Sequence, residues 1–196
     1  MTAASPPPGK PVDFFFDFRS PYSYLAHSQV TDLDLVFKPM DVLEVMKEVG
    51  NTPTTIVCAA KGRYAGADLR RWTALYGLAF ERHPDMRTLD GRRLLRAVLA
   101  SGDQRRAAVA ALFPAVWGAP KPLASAQDVA ALLSAAGVSV DAAALDDPAL
   151  DAELSEASHQ AAELGVFGAP TFITGGEMFF GNDRLDFLRR HLEQAA

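Results

Sequence analysis

Cysteine is almost absent from this chain of 196 residues; the one present is Cys58. A single cysteine cannot close an internal disulfide, so the fold does not depend on an oxidising compartment. Histidine is sparse as well. His27, His83, His159 and His191 are scattered without metal-ligand spacing, which argues against a zinc site. Basic residues are in deficit, 19 Lys and Arg against 24 Asp and Glu, for a net charge of −5. That balance argues against nucleic acid as the main partner. No apolar run is long enough to cross a bilayer. Met1 to Lys10 has no apolar core of the signal-peptide kind, and residues 1–11 read as a disordered tail. Cytoplasmic location is the default expectation. The two tryptophans, Trp72 and Trp117, are expected in the core, and Cys58 as a buried small side chain.

What is present is organised around Val12 to Ala26. The run Phe14, Phe15, Phe16 and Phe18, bounded by Pro11 and Ser20, is too short for an average helix and suits a strand covered on both faces. Ser20 is a good helix N-cap, and Pro21 fits the first helical position. Unpaired backbone N–H groups and the positive end of the helix dipole therefore gather around the Ser20 hydroxyl, a place to hold an anion, a phosphate or a thiolate.

The first helix is expected from Pro21 to about Val30, and a second strand from Asp32 to Phe37, ended by Lys38-Pro39-Met40. Together they suggest a right-handed βαβ unit. Residues 41–146 then read as helices only. Val42 to Met46 has helical spacing, Gly50 to Thr54 is a turn cluster, and Lys61 to Tyr64 is a polar stretch leading into a helix at Ala67–Tyr76 stopped by Gly77. Further helices are expected at Gly91–Ser101, Arg105–Trp117 and Ser125–Ala136. Asp147-Pro148 opens another, running to about Leu164 with Gly165 after it. Strands on either side of Gly175-Gly176 form a hairpin, and Gly181-Asn182-Asp183 caps a last helix over Arg184 to about Glu193. This order describes an α/β thioredoxin-like fold with a large all-helical insertion: residues 12–40 and 147–196 form the thioredoxin-like part and 41–146 the insertion.

In that topology the loop before the third strand lies beside the first helix start. Ala169-Pro170 stands there, directly before a strand. It reads either as a cis bond that aims the Ala169 backbone at a bound peptide, or as a trans proline opening an edge strand; spacing does not choose between them.

Six stretches carry a family resemblance: Asp17 to Leu25, Gly50-Asn51-Thr52-Pro53, Lys61 to Tyr64, Asp68 to Trp72, Gly165 to Phe172, and Phe180 to Leu185. In combination they resemble the 2-hydroxychromene-2-carboxylate isomerases, relatives of the kappa-class glutathione transferases within the DsbA-like thioredoxin superfamily. The resemblance runs from about Val12 to Leu192. It implies glutathione as cofactor, an aromatic small-molecule substrate from aromatic-compound catabolism, and a homodimer. Ser20 matches the catalytic serine beside the glutathione sulfur, and Ser20-Pro21-Tyr22-Ser23 stands where redox relatives have C-x-x-C. Without two thiols the chain cannot run disulfide exchange. A serine hydroxyl is a poor nucleophile without a paired base, so its role is to donate a hydrogen bond to the cofactor's thiolate.

By the same resemblance, Ala169 and Pro170 pair with the cysteinyl part of glutathione, and Asn182 and Asp183 hold its γ-glutamyl end. Asn51 and Lys61 reach the site from the helical part; Lys61 binds either the glycyl carboxylate or the substrate carboxylate. Tyr64 is its neighbour on the substrate side. The chain departs from the family in three places: Thr52 to Ala60 where a proline-rich run is more usual, Arg19 where a small or apolar residue is usual, and a looser match at His83-Pro84-Asp85-Met86. The implied reaction interconverts 2-hydroxychromene-2-carboxylate and trans-o-hydroxybenzylidenepyruvate. A kappa-like transferase or peroxidase acting on other electrophiles is the alternative. A binding module that holds a peptide is the reading from another class.

Overall fold

The structure is a computed structural model and describes residues 10–194. Of the expected tail 1–11, residues 1–9 lie outside the described residues.

The chain opens with β1 (Val12–Phe16), α1 (Pro21–Gln29) and β2 (Leu35–Pro39). Helices follow: α2 (Val42–Glu48), α3 (Thr54–Val57), α4 (Ala59–Tyr76), α5 (Gly91–Ala100), α6 (Arg105–Trp117), α7 (Ala126–Ala135) and α8 (Pro148–Glu163). The hairpin β3 (Thr171–Thr174) and β4 (Glu177–Phe180) and the helix α9 (Leu185–Gln194) complete it. The sheet order is β2-β1-β3-β4. β1 runs parallel to β2, with Phe14 opposite Phe37, and antiparallel to β3, with Phe14 opposite Phe172. This is the expected thioredoxin-like arrangement with helices between the two parts of the sheet.

β1 is the centre because its side chains alternate between two buried faces. Phe14 and Phe16 enter the larger core, where Phe14 stacks on Phe172 at 4.8 Å and Phe18 meets Phe113 of α6 at 4.7 Å. Phe15 faces a smaller cluster with Met40, Val45, Ala161 and Val166, under α2 and α8. Covering both faces of one strand with aromatic rings fixes its register, since a one-residue slip would exchange the two sets. The β3–β4 turn needs positive φ at two successive positions, and Gly175 and Gly176 supply +59° and +85°.

Four expectations need correction. β2 spans Leu35–Pro39 rather than Asp32 to Phe37. It is an edge strand, where the missing N–H of Pro39 costs no ladder bond, and pairing of Phe16 with Pro39 carries it up to the proline. α4 begins at Ala59 rather than Ala67, so Lys61 and Tyr64 are helical. Trp72 is half-buried, its Nε1 donating to Asp68 Oδ2 at 3.2 Å, whereas Trp117 is in the core as expected. Cys58 is half-buried at the junction of α3 and α4 rather than enclosed.

Candidate active site

The local chemistry at the end of β1 forms a sharp turn. Asp17 is fully buried. Its Oδ1 accepts from the Arg19 backbone N–H at 2.8 Å, and the Asp17 carbonyl accepts from Ser20 N–H. Ser20 is then extended (φ −90°, ψ 109°) and caps α1: its Oγ accepts from Ser23 N at 3.2 Å, with Pro21 at the first helical position. The same Oγ donates to the Ala169 carbonyl at 3.1 Å, 149 residues away in sequence. The Ala169-Pro170 bond is cis. The open alternative of the sequence is thereby settled, and the loop before β3 stands against the start of α1.

Around this pair lies a cleft of about 560 Å³. One wall is α2 (Leu43, Met46), another is Leu69 of α4, and the third is Phe167 and Phe180, whose rings sit 4.6 Å apart. An apolar enclosure with a few convergent polar groups is the usual form of a small-molecule site. Asn51 spans one rim: its Nδ2 donates to Phe167 O at 2.8 Å and its Oδ1 accepts from Thr52 N at 2.8 Å.

Tyr22 lines the cleft one turn from Ser20. Its hydroxyl donates to Asp68 Oδ2 at 3.2 Å, the same oxygen that receives Trp72 Nε1, so α1 and α4 are joined through one carboxylate. Burial, with the Asp68 charge and hydrogen bond, pushes the Tyr22 phenol up to about 12. Tyr64 and Asp183 are close enough to add to that shift.

A second polar feature fixes the turn itself. Arg19 Nε donates to Asp17 Oδ1 at 3.0 Å, and its Nη2 reaches Asp17 Oδ2 at 2.5 Å and Asp41 Oδ1 at 2.6 Å. Asp17 Oδ2 also accepts from Val42 N at 3.0 Å. Asp41 caps α2 through Leu43 N and Glu44 N. Its second oxygen pairs with Arg92 of α5 at 3.1 Å. Burial, the largest single influence, would raise the Asp41 carboxyl, but Arg19 together with the Glu44 and Leu43 amides outweighs it and holds the group below the usual carboxylate range. The Ser20 turn and the α2 wall of the cleft are thus tied to the same ion pairs.

Ser20, Asn51 and Ala169 share the cleft, and Pro170 follows, buried. Asn182 and Asp183 stand in a 3₁₀ turn at the start of α9. Asn182 is buried, its carbonyl accepts from Tyr76 OH at 3.5 Å, and among the described residues its Nδ2 has no partner. Asp183 is exposed and pairs with Arg184 at 2.6 Å. Lys61 and Tyr64 are exposed near the start of α4 and do not line the cleft. The His83 loop lies elsewhere: His83 is buried, with Nε2 on Lys121 O at 2.8 Å and Nδ1 accepting from Asp85 N at 3.1 Å, a structural role. Leu43, Met46, Leu69, Phe167 and Phe180 are given no site role by the sequence reading, although Leu69, Phe167 and Phe180 fall inside the stretches that carry the resemblance. The two phenylalanines directly precede Gly168-Ala169-Pro170 and Gly181-Asn182-Asp183, the one local signal that could have found them.

Among the described residues no group of three or more His, Cys, Asp or Glu is placed to hold a metal ion. No helix there is long and apolar enough to cross a membrane.

Residues 11–193 match the DSBA-like thioredoxin domain. A 2-hydroxychromene-2-carboxylate isomerase of Sphingobium xenophagum is 33% identical over 193 residues, covering 93% of this chain and 98% of that protein. Glutathione S-transferase kappa 1 of Homo sapiens is 26% identical over 200 residues, covering 90% of this chain and 88% of that protein. Among solved structures, a 2-hydroxychromene-2-carboxylate isomerase superposes with a TM-score of 0.80 at 32% identity, over 94% of this chain and 95% of that one. The chain belongs to the DSBA-like thioredoxin-domain family, within the group formed by the 2-hydroxychromene-2-carboxylate isomerases and the kappa-class glutathione transferases.

Proposed function

We propose that this protein is a glutathione-dependent isomerase that interconverts 2-hydroxychromene-2-carboxylate and trans-o-hydroxybenzylidenepyruvate. The observation that carries the reading is the meeting of Ser20 Oγ, at the N-terminus of α1, with the Ala169 carbonyl in one apolar cleft.

The residues fit a tripeptide thiol. Asn182 Nδ2 and Ser23 Oγ are buried polar atoms with no partner among the described residues, at the starts of the last and first helices. Neither residue lines the cleft, so the fit rests on Ser20 Oγ and the Ala169 backbone, which do. Bound glutathione supplies the nucleophilic thiol that the chain itself does not place at this position. On binding, Ser20 turns its single hydroxyl proton from the Ala169 carbonyl toward the sulfur, and the N-terminal amides of α1 favour negative charge beside it. The Ala169 backbone pairs with the cysteinyl unit in strand fashion, next to Pro170. Asp183 accepts from the γ-glutamyl ammonium, with Asn182 beside it. Asn51 holds the rim, and Lys61 offers a cation to a terminal carboxylate, with Tyr64 as its neighbour. Met46, Leu69, Phe167 and Phe180 take an aromatic ring and keep water from the reacting carbons.

Calorimetric titration of glutathione into wild type and Asp183→Ala, with the absorbance change of the chromene substrate followed in parallel, tests the reading. Binding abolished by the substitution, and turnover that requires glutathione, is the expected result. No glutathione binding to wild type would remove the reading, and the peptide-holding module would take its place.

Likeness to human glutathione S-transferase kappa 1 favours one second reading, transfer of glutathione to other electrophiles. Activity with a generic electrophile such as 1-chloro-2,4-dinitrobenzene, and none with the chromene, would select it.

A further inference from the structure

Of the described side chains that line the cleft, one is charged: Arg19, next in sequence to Ser20. Its guanidinium is held on one edge. Nε and Nη2 donate to Asp17, and Nη2 also donates to Asp41. Its stem is held too. A Cβ added at Gly91, the first residue of α5, would lie 2.7 to 2.9 Å from Arg19 Cδ, Cγ and Nε, so the absence of a side chain there is what lets the arginine lie flat against the helix start. Two fixed contacts leave the planar fork little rotational freedom.

The other edge is uncommitted. Nη1 makes no hydrogen bond with any described residue, and the Arg19 side chain keeps 27% of its surface accessible. Asp17 and Asp41 are almost fully enclosed, and Asp41 is shared with Arg92. The guanidinium is therefore close to charge-balanced. It selects a ligand through N–H donors of fixed direction rather than through long-range attraction. Lys61, the other cation expected near a substrate, does not line the cleft.

We propose that Arg19 is a specificity-determining residue whose free Nη1 donates to the carboxylate of an aromatic substrate seated in the cleft. The inference rests on the aromatic-carboxylate reading above and adds to it the residue that recognises the acid group. It also gives a reason for an arginine at a place where an apolar residue would complete the wall.

The test uses trans-cinnamate, an aromatic carboxylate that needs no thiol chemistry to bind, titrated into wild type, Arg19→Leu and Arg19→Lys. Cinnamyl alcohol is the uncharged control, and glutathione affinity and the thermal midpoint are measured on each variant. Wild type is expected to bind cinnamate and not the alcohol. Both variants should lose about 10-fold or more in cinnamate affinity; because Arg19 also braces the Ser20 turn, glutathione affinity is measured on the same samples, and the cinnamate loss should exceed any glutathione loss by about 10-fold, an equal loss of both overturning the proposal. Lysine keeps a charge at the Asp17 pair but has no planar fork, so it serves as the second variant if leucine fails to fold. Equal cinnamate affinity in wild type and Arg19→Leu would overturn the proposal, as would wild-type affinity in Arg19→Lys, or no binding of cinnamate to wild type. Glutathione-dependent isomerisation is assayed separately. A wild type that binds cinnamate through Arg19 but does not isomerise the chromene would sink the proposed reaction and leave the role of Arg19 standing.

Discussion

Ser20 Oγ donates to the Ala169 carbonyl oxygen at 3.1 Å, and this bond joins the start of α1 to the loop before β3. Both groups are ones that a bound peptide-like thiol would use. In the structure they satisfy each other, which keeps two polar atoms paired inside an apolar cleft. The bond is also a crosslink over 149 residues of chain. A thiol that uses both groups has to replace this bond, so part of its binding energy goes to exchanging one hydrogen bond for others.

Ser20→Ala removes the cap on Ser23 N and the bond to Ala169 together. Unfolding stability is expected to fall by about 1–2 kcal/mol, read in urea titration. Glutathione-dependent turnover is expected to fall about 100-fold, the usual loss for one donor aimed at developing charge. Full turnover in the variant would remove the hydroxyl from the proposed mechanism.

Asp41→Asn addresses the ion pairs under the cleft. Asp41 is buried, caps α2 and pairs with both Arg19 and Arg92. An amide keeps the cap but leaves two guanidiniums short of a charge partner, so a loss of about 3 kcal/mol is expected in chemical unfolding. Leu43 and Met46 hang from the same helix and line the cleft, so ligand affinity should weaken as well. A loss below about 1 kcal/mol would show that Glu44 and Asp151, which also pair with Arg92, hold the group without Asp41.

The parts of this site that are local in sequence were legible. Ser20-Pro21 reads as a cap followed by a first-turn proline, Gly175-Gly176 as a two-residue hairpin turn, and the apolar spacing of α6 matches Arg105–Trp117 at both ends. What was not legible depends on distant partners or on exposed helix. The early start of α4 hides because Lys61, Arg63 and Tyr64 are exposed there and Gly62 and Gly66 interrupt the pattern, so no apolar period marks the first two turns. Pro39 reads as a breaker just after the strand, whereas on this edge strand it is the last paired residue. The clamp on Arg19 depends on Asp41, 22 residues on, and the aromatic wall depends on Phe167 meeting Phe180; neither contact leaves a spacing signal.

Asp68 receives both Tyr22 OH and Trp72 Nε1, which leads to a spectroscopic prediction. The Tyr22 phenol is pushed up to about 12, first by burial and then by Asp68. In the difference between ultraviolet titrations of wild type and Tyr22→Phe, the Tyr22 phenolate should therefore emerge only near that pH. Asp68→Asn should bring it down, toward the ordinary tyrosine range near about 10. An unchanged titration in Asp68→Asn would mean that burial alone sets it.

His27 gives the pH dependence of folding. It lies on the buried face of α1, stacked with Phe14 at 6.3 Å and 5.2 Å from Phe113. Burial, aided by the charge of Arg106, lowers it to about 4 from a usual value near 6.5. The folded chain keeps the ring neutral between those values while the unfolded chain takes up the proton. The stability that His27 allows is therefore fully present above about pH 6.5 and is lost progressively as the pH falls toward 4. A shift of that size corresponds to about 3 kcal/mol over the window. His27→Leu keeps an apolar side chain in the cluster and removes the titration. Urea unfolding of both proteins at pH 7, 5.5 and 4.5 isolates this group, because exposed His159, drawn upward by Glu48, titrates equally in each. The gap between wild type and variant should move in favour of the variant at each step down. A gap that stays constant from pH 7 to 4.5 would mean that the ring is reached by solvent and protonates in the folded state.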